Sequence, residues 1–204
     1  MQSHLKYFLV NAELSSHCTF SSAGSSSIAC DFETSSICGY KFDSAGNFNW
    51  TWRAGSFPAT DHTTQTASGH FLVARVSGTR GRAQRAKLVS PSFPRSSSQR
   101  CLQFWYTIPG STGSLSVVVG SPSSTGVSWS GRSPVNTWMI GQVNIPTGSG
   151  QIQASFTAQI APFGTSVVAI DDVSIRPGQC RAIGKFSIVH QEQFAFNLTI
   201  CYMK

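Results

Sequence analysis

Leu102-Gln103-Phe104-Trp105-Tyr106-Thr107-Ile108, stopped by Pro109-Gly110, is the stretch whose reading decides the fold. From Phe104 onward every residue of the run is aromatic or β-branched, the kind that packs well on a half-buried pleated surface. The run is too short for an ordinary helix, and Pro-Gly is strong turn punctuation. It predicts a strand.

The same grammar holds on both sides of it. Downstream, Leu115 to Val119 follows after one turn, and Gln142-Val143-Asn144-Ile145 stops at Pro146. Ile152 to Ala158 alternates with period two, and Val167 to Ile170 precedes the doublet Asp171-Asp172. Upstream, Phe71 to Val76 is closed by Gly78 and Gly81, and Ala86 to Ser90 ends at Pro91. Short strands, Gly/Pro/Ser punctuation and no sustained 3.6-residue period predict an all-β chain, an antiparallel β-sandwich of jelly-roll type. Residues 1–29 end in a small-polar linker from Thr19 to Ser27, too poor in apolar groups to pack. In the tail 181–204, Phe194, Phe196, Leu198 and Ile200 alternate like one more strand, beyond what reads as a closed module.

Only 11% of the 204 residues are charged, and the six cysteines form no Cys-x-x-Cys pair. Zinc and thioredoxin-like chemistry are therefore disfavoured, and structural disulfides in an oxidising compartment are favoured. Two sequons, at Asn49 and Asn197, agree with an extracellular glycoprotein. The apolar run Tyr7 to Val10 is too short for a signal peptide, and no segment has the length of a membrane span. The expectation is a piece of a larger secreted or membrane-anchored protein, extracellular or at the cell surface.

The charges are unevenly placed. The chain carries a net +7, with Arg80, Arg82 and Arg85 in one basic stretch that offers a polyanion contact. No nucleic-acid signature accompanies it. Of the eight acids, five fall in three clusters, Asp31 with Glu33, Asp61, and Asp171-Asp172, and none lies between Asp61 and Asp171. Acids gathered from distant segments are what a hard cation needs; the alternative is that they cap turns or orient His62.

These pieces together resemble the MAM domain family of cell-surface proteins. The resemblance runs from Cys30-Asp31-Phe32-Glu33, Cys38-Gly39-Tyr40 and Phe48-Asn49-Trp50 to Asp61-His62-Thr63, Gly69-His70-Phe71-Leu72 and Ala86-Lys87-Leu88-Val89-Ser90-Pro91. It continues through Cys101-Leu102-Gln103-Phe104-Trp105-Tyr106, Trp138 and Ala169-Ile170-Asp171-Asp172-Val173 to Cys180, covering residues 30–180. Tyr40 stands where a Trp is usual, Ser44-Ala45-Gly46-Asn47 replaces an acidic loop, and Phe57-Pro58 replaces a Gly-Pro.

The resemblance implies disulfides Cys30–Cys38 and Cys101–Cys180, leaving Cys18 and Cys201 on the flanks. It also implies a structural Ca2+ or Na+ held by Glu33, Asp61 and Asp171. As a function it implies a non-catalytic extracellular module for protein–protein interaction, cell adhesion or receptor oligomerisation, with a protein partner or a second copy. The alternatives are a carbohydrate- or glycosaminoglycan-binding sandwich, or an accessory domain of a secreted protease. No Gly-x-Ser-x-Gly or His-Glu-x-x-His motif marks an enzyme. For a sugar, Trp129 in the Ser/Gly-rich stretch 121–137 is the exposed aromatic expected to serve, while Trp105 and Trp138 are expected in the core.

Overall fold

The computed structural model describes residues 28–44, 46–76, 81–121, 126–132, 136–162 and 166–181. Cys18, Cys201, Arg80, Asn197, the linker and the tail after Arg181 lie outside the described residues.

The strands are β1 (Lys41–Asp43), β2 (Thr51–Ala54), β3 (His70–Val76), β4 (Gln84–Val89), β5 (Phe93–Pro94) and β6 (Arg100–Thr107). They continue as β7 (Gly113–Gly120), β8 (Val127–Gly131), β9 (Met139–Ile145), β10 (Gln151–Ile160) and β11 (Ser166–Pro177). Among the described residues they form two antiparallel sheets, ordered β1-β4-β10-β7-β8, with β5 beside β10, and β2-β3-β11-β6-β9. Seven of these nine pairings join strands that are not consecutive in the chain, so closing the sandwich requires long-range pairing.

Period-two patterning decides which side chains meet between the sheets. Leu102, Phe104 and Tyr106 of β6 point inward against Leu115, Val117 and Val119 of β7 and Ile152, Ala154, Phe156 and Ala158 of β10. Phe104 and Phe156 meet edge to face with ring centroids 5.3 Å apart. Each fully buried ring of this kind stabilises the fold by about 1.5–3 kcal/mol through area burial. Trp50 is also core, and its indole N–H donates to the Ala86 carbonyl at 3.2 Å, so the one polar atom is satisfied.

The outer face of the second sheet is partly covered too. Phe71, Val73, Val167 and Ala169 form a small outer cluster under Trp138, whose N–H donates to the Thr60 carbonyl at 3.0 Å. Cys30–Cys38 clips the entry segment, and Cys101–Cys180 joins the start of β6 to the segment just after β11.

Core tightness gives a direct prediction. Gly141 on β9 faces Phe104 across the sheet, and a Cβ there would stand 2.3 Å from two carbons of that ring. Gly141→Ala is expected to cost about 1–3 kcal/mol in denaturant unfolding, because a filled core yields only by moving the ring. An unchanged midpoint would show that Phe104 has room to move.

Candidate functional site: the acidic loop and the cleft beside Trp105

The segment after β2 turns sharply at Asp61, and that carboxylate organises the turn. It accepts the Thr64 N–H at 2.5 Å, the Thr64 hydroxyl at 2.8 Å and the Thr66 N–H at 3.0 Å. Although burial works against its charge, these donors hold Asp61 below the usual carboxylate range. Gly69 packs directly under it: a Cβ there would lie 2.2 Å from the Asp61 carboxyl carbon. Only a residue without a side chain fits.

The doublet Asp171-Asp172 reaches the same loop from β11. Asp171, wholly buried, accepts the amides of His62 at 2.8 Å and Thr63 at 3.4 Å, and that of Asp172 at 2.9 Å. Asp172 has φ +45°, and the register with β6 slips between Asp171 and Ser174. This bulge breaks the alternation that would send adjacent side chains to opposite faces. Both carboxylates therefore meet the same loop: Asp172 bonds His62 Nδ1 at 2.5 Å and accepts the Thr63 hydroxyl at 2.8 Å. The strand also runs on through the doublet to Pro177 instead of ending before it. Burial, aided by the Asp172 charge, pushes Asp171 up to about 8 while the amide donors pull the other way.

Glu33 belongs to a neighbouring contact. Its Oε1 accepts the His70 amide at 3.0 Å, and its other oxygen lies 3.9 Å from His70 Nδ1. The sheet thus brings the segments of Glu33, Asp61 and Asp171 into one region. The resemblance, however, implies a shared ion, and the carboxylates do not converge as a cage. Among the described residues no group of three or more His, Cys, Asp or Glu is placed to hold a metal ion. Both oxygens of Asp61 and of Asp171 accept N–H or O–H groups of the loops they join, while Glu33 accepts through Oε1 alone.

The tryptophans also depart from expectation. Trp129 lies on β8 and packs edge-on to Phe104 and Tyr106, with centroids 5.1 Å and 5.0 Å away, so it is half-buried packing and not a loop platform. Trp105 is on the outward row of β6, where His62 stacks on it at 3.8 Å. The Trp52 N–H donates to the Phe32 carbonyl at 2.7 Å, and its ring stacks on His70 at 4.0 Å. Asn49 is exposed, as a glycan acceptor must be. Arg82 and Arg85 are exposed as well.

Beside Trp105 opens a cavity of about 670 Å3 whose lining includes His62, Gln103, Asp172, Ser174, Arg176 and Ile140, with Ala29, Cys30, Asp31 and Cys38. Sequence reading singled out none of Gln103, Ser174 and Arg176. The period-two register of β6 marked Gln103 as outward, but the bulge in β11 hid that Ser174 and Arg176 share its face.

Two packed antiparallel sheets bound by two disulfides define a β-sandwich of extracellular type. The described MAM domain (meprin/A5/mu) matches residues 30–181, and the chain belongs to that family. It is 32% identical to human MAM domain-containing glycosylphosphatidylinositol anchor protein 1, covering 74% of this chain and 17% of that protein. It is 31% identical to neuropilin-1a of Danio rerio, covering 72% of this chain and 17% of that one. The chain thus spans about a sixth of the length of these relatives. In shape it resembles TmCBM61, solved in complex with β-1,4-galactotriose (TM-score 0.52, 11% identity, 68% of this chain and 88% of that one). It also resembles a cleaved adhesin domain of Lys-gingipain from Porphyromonas gingivalis (TM-score 0.52, 16% identity, 74% and 97%). At these identities the likeness is one of fold alone.

The family and its relatives place the module outside the cell, consistent with a part of a larger cell-surface protein. MAM domains mediate protein interactions, and this chain is a module of that adhesion type. No helix among the described residues is long and apolar enough to cross a membrane.

Proposed function

We propose that the module is non-catalytic and acts by protein–protein contact, in cell adhesion or receptor assembly, with a second copy of itself as the first partner to test. The observation that carries the reading is the family match over residues 30–181, set on a rigid sandwich clipped by two disulfides. The packing of the His62–Asp172 pair supports it as well. His62 is stacked on Trp105, stands edge-on to Trp138 at 6.3 Å and bonds Asp172, a packed arrangement that holds a loop.

Sedimentation of the purified, oxidised chain is expected to show mass rising with concentration, insensitive to added monosaccharides. A strict monomer over the accessible range would overturn self-association. Capture of a different cell-surface protein by the same monomer would then assign the module to a heterophilic role.

A further inference from the structure

We propose that the cleft beside Trp105 is a carbohydrate-binding site. The cavity of about 670 Å3 lies within the range of small-ligand sites, about 300–1,000 Å3. Its chemistry is that of a pyranose and not of a peptide.

A sugar ring presents an apolar C–H face and a rim of hydroxyls that each donate and accept. The cleft answers both. Trp105 and His62 both line it and stack on each other with rings 3.8 Å apart and 16° from parallel, so the face offered to a sugar is one that a ring of this pair turns away from its partner. The pair is held in place, because Asp172 bonds the imidazole at Nδ1 and Asp171 accepts the amide of the same residue. The floor supplies polar groups of complementary kinds: the Gln103 amide both donates and accepts, the Ser174 hydroxyl does the same, and the Arg176 guanidinium donates. Gln103 and Ser174 are register partners on β6 and β11, and Arg176 stands one outward position further along. Among the described residues these three side chains make no hydrogen bond within the fold, so their groups are available to a ligand. The Cys30–Cys38 bridge is part of the lining.

A peptide is less well served. β6 is already paired on both sides, to β9 and β11, so the cleft floor has no strand edge for an extended chain to join. The only large apolar groups in the lining are Trp105, Ile140 and Val173, and Val173 is turned into the core.

The test uses the full chain with its disulfides intact on an array of neutral, uronate-containing, sialylated and sulfated oligosaccharides. The tightest of these is then titrated by tryptophan fluorescence. Binding of one oligosaccharide is expected, weakened at least tenfold by Gln103→Ala and by Arg176→Ala, and unaltered by Trp129→Ala. Gln103 and Arg176 sit on the outer face, so both variants should melt like the parent and report binding alone. Trp105→Phe should weaken binding and move the fluorescence response. The assignment is overturned if no oligosaccharide binds at millimolar concentration, or if binding survives both floor variants. Binding confined to sulfated chains, lost steeply with salt and with Arg82→Ala and Arg85→Ala, would also overturn it and move recognition to the basic surface. None of these outcomes bears on sedimentation, so this site and self-association stand or fall separately.

Discussion

Replacing Cys101 and Cys180 together by alanine is expected to lower stability by about 4 kcal/mol, the entropy of a loop of this length in the chain-entropy account. The bridge spans 79 residues in sequence and ties the first residues of β6 to the segment after β11. Those two strands are direct neighbours in the centre of their sheet, so freeing their ends also frays the register that builds the cleft. For an ordered region of this size the melting temperature should drop by roughly 10 °C. The Cys30–Cys38 double variant closes a span of only 8 residues and should lose less, about 2.5 kcal/mol by the same reasoning. Double variants avoid leaving an unpaired thiol that could exchange with Cys18 or Cys201. Equal losses from the two pairs would refute the loop-length argument and point to local packing instead.

The other large effect is expected at Asp171. Its two buried oxygens accept three amides, those of His62, Thr63 and Asp172. At neutral pH the raised pKa leaves Asp171 protonated, and an asparagine replaces its hydroxyl by a bulkier NH2 group that turns two hydrogens toward the N–H donors, so Asp171→Asn should cost about 1–3 kcal/mol. The same loss should appear with calcium or with chelator, because the partners are amides. A loss that appears only with calcium would restore the carboxylate as an ion ligand.

Asp171 also fixes a pH dependence. Its folded-state pKa is raised to about 8 from 3.8, chiefly by burial. A group raised in this way contributes stability that is fully present below about pH 4 and is lost as pH rises through 8. Parent stability, measured by denaturant unfolding, should therefore decline from pH 5 to pH 9, with a shallower decline in Asp171→Asn. Identical slopes would show that folding does not penalise this ionisation. Asp61, held below its usual value, works in the opposite direction and loses its contribution only as pH falls into the acid range.

Much of the architecture was legible in the chain. Leu102 to Ile108, Ile152 to Ala158 and the other short runs declare strands because alternation is a local property, set by which side chains face a core and which face water. The cysteine pairing was legible only through family resemblance, since spacing alone leaves many connectivities open. Trp105 was misplaced because an aromatic in a strong strand reads as core, whereas its neighbours Phe104 and Tyr106 take the inward positions. Trp129 was misplaced because Ser and Gly around it read as loop, yet pairing with β7 makes that stretch an edge strand.

By itself, then, the sequence determined the all-β class, the extracellular chemistry and the family, all of which follow from residue type and short-range pattern. Tertiary structure decided the rest. The left-handed turn at Asp172 and the register slip beside it place two adjacent carboxylates on one loop, and no one-dimensional pattern encodes that. The partners that satisfy Glu33, Asp61 and Asp171 come from other segments, so their role depends on which N–H groups folding brings within hydrogen-bond reach. The cleft exists for the same reason: Gln103 and Ser174, 71 positions apart in the chain, share a surface with Arg176 only once β6 and β11 lie side by side.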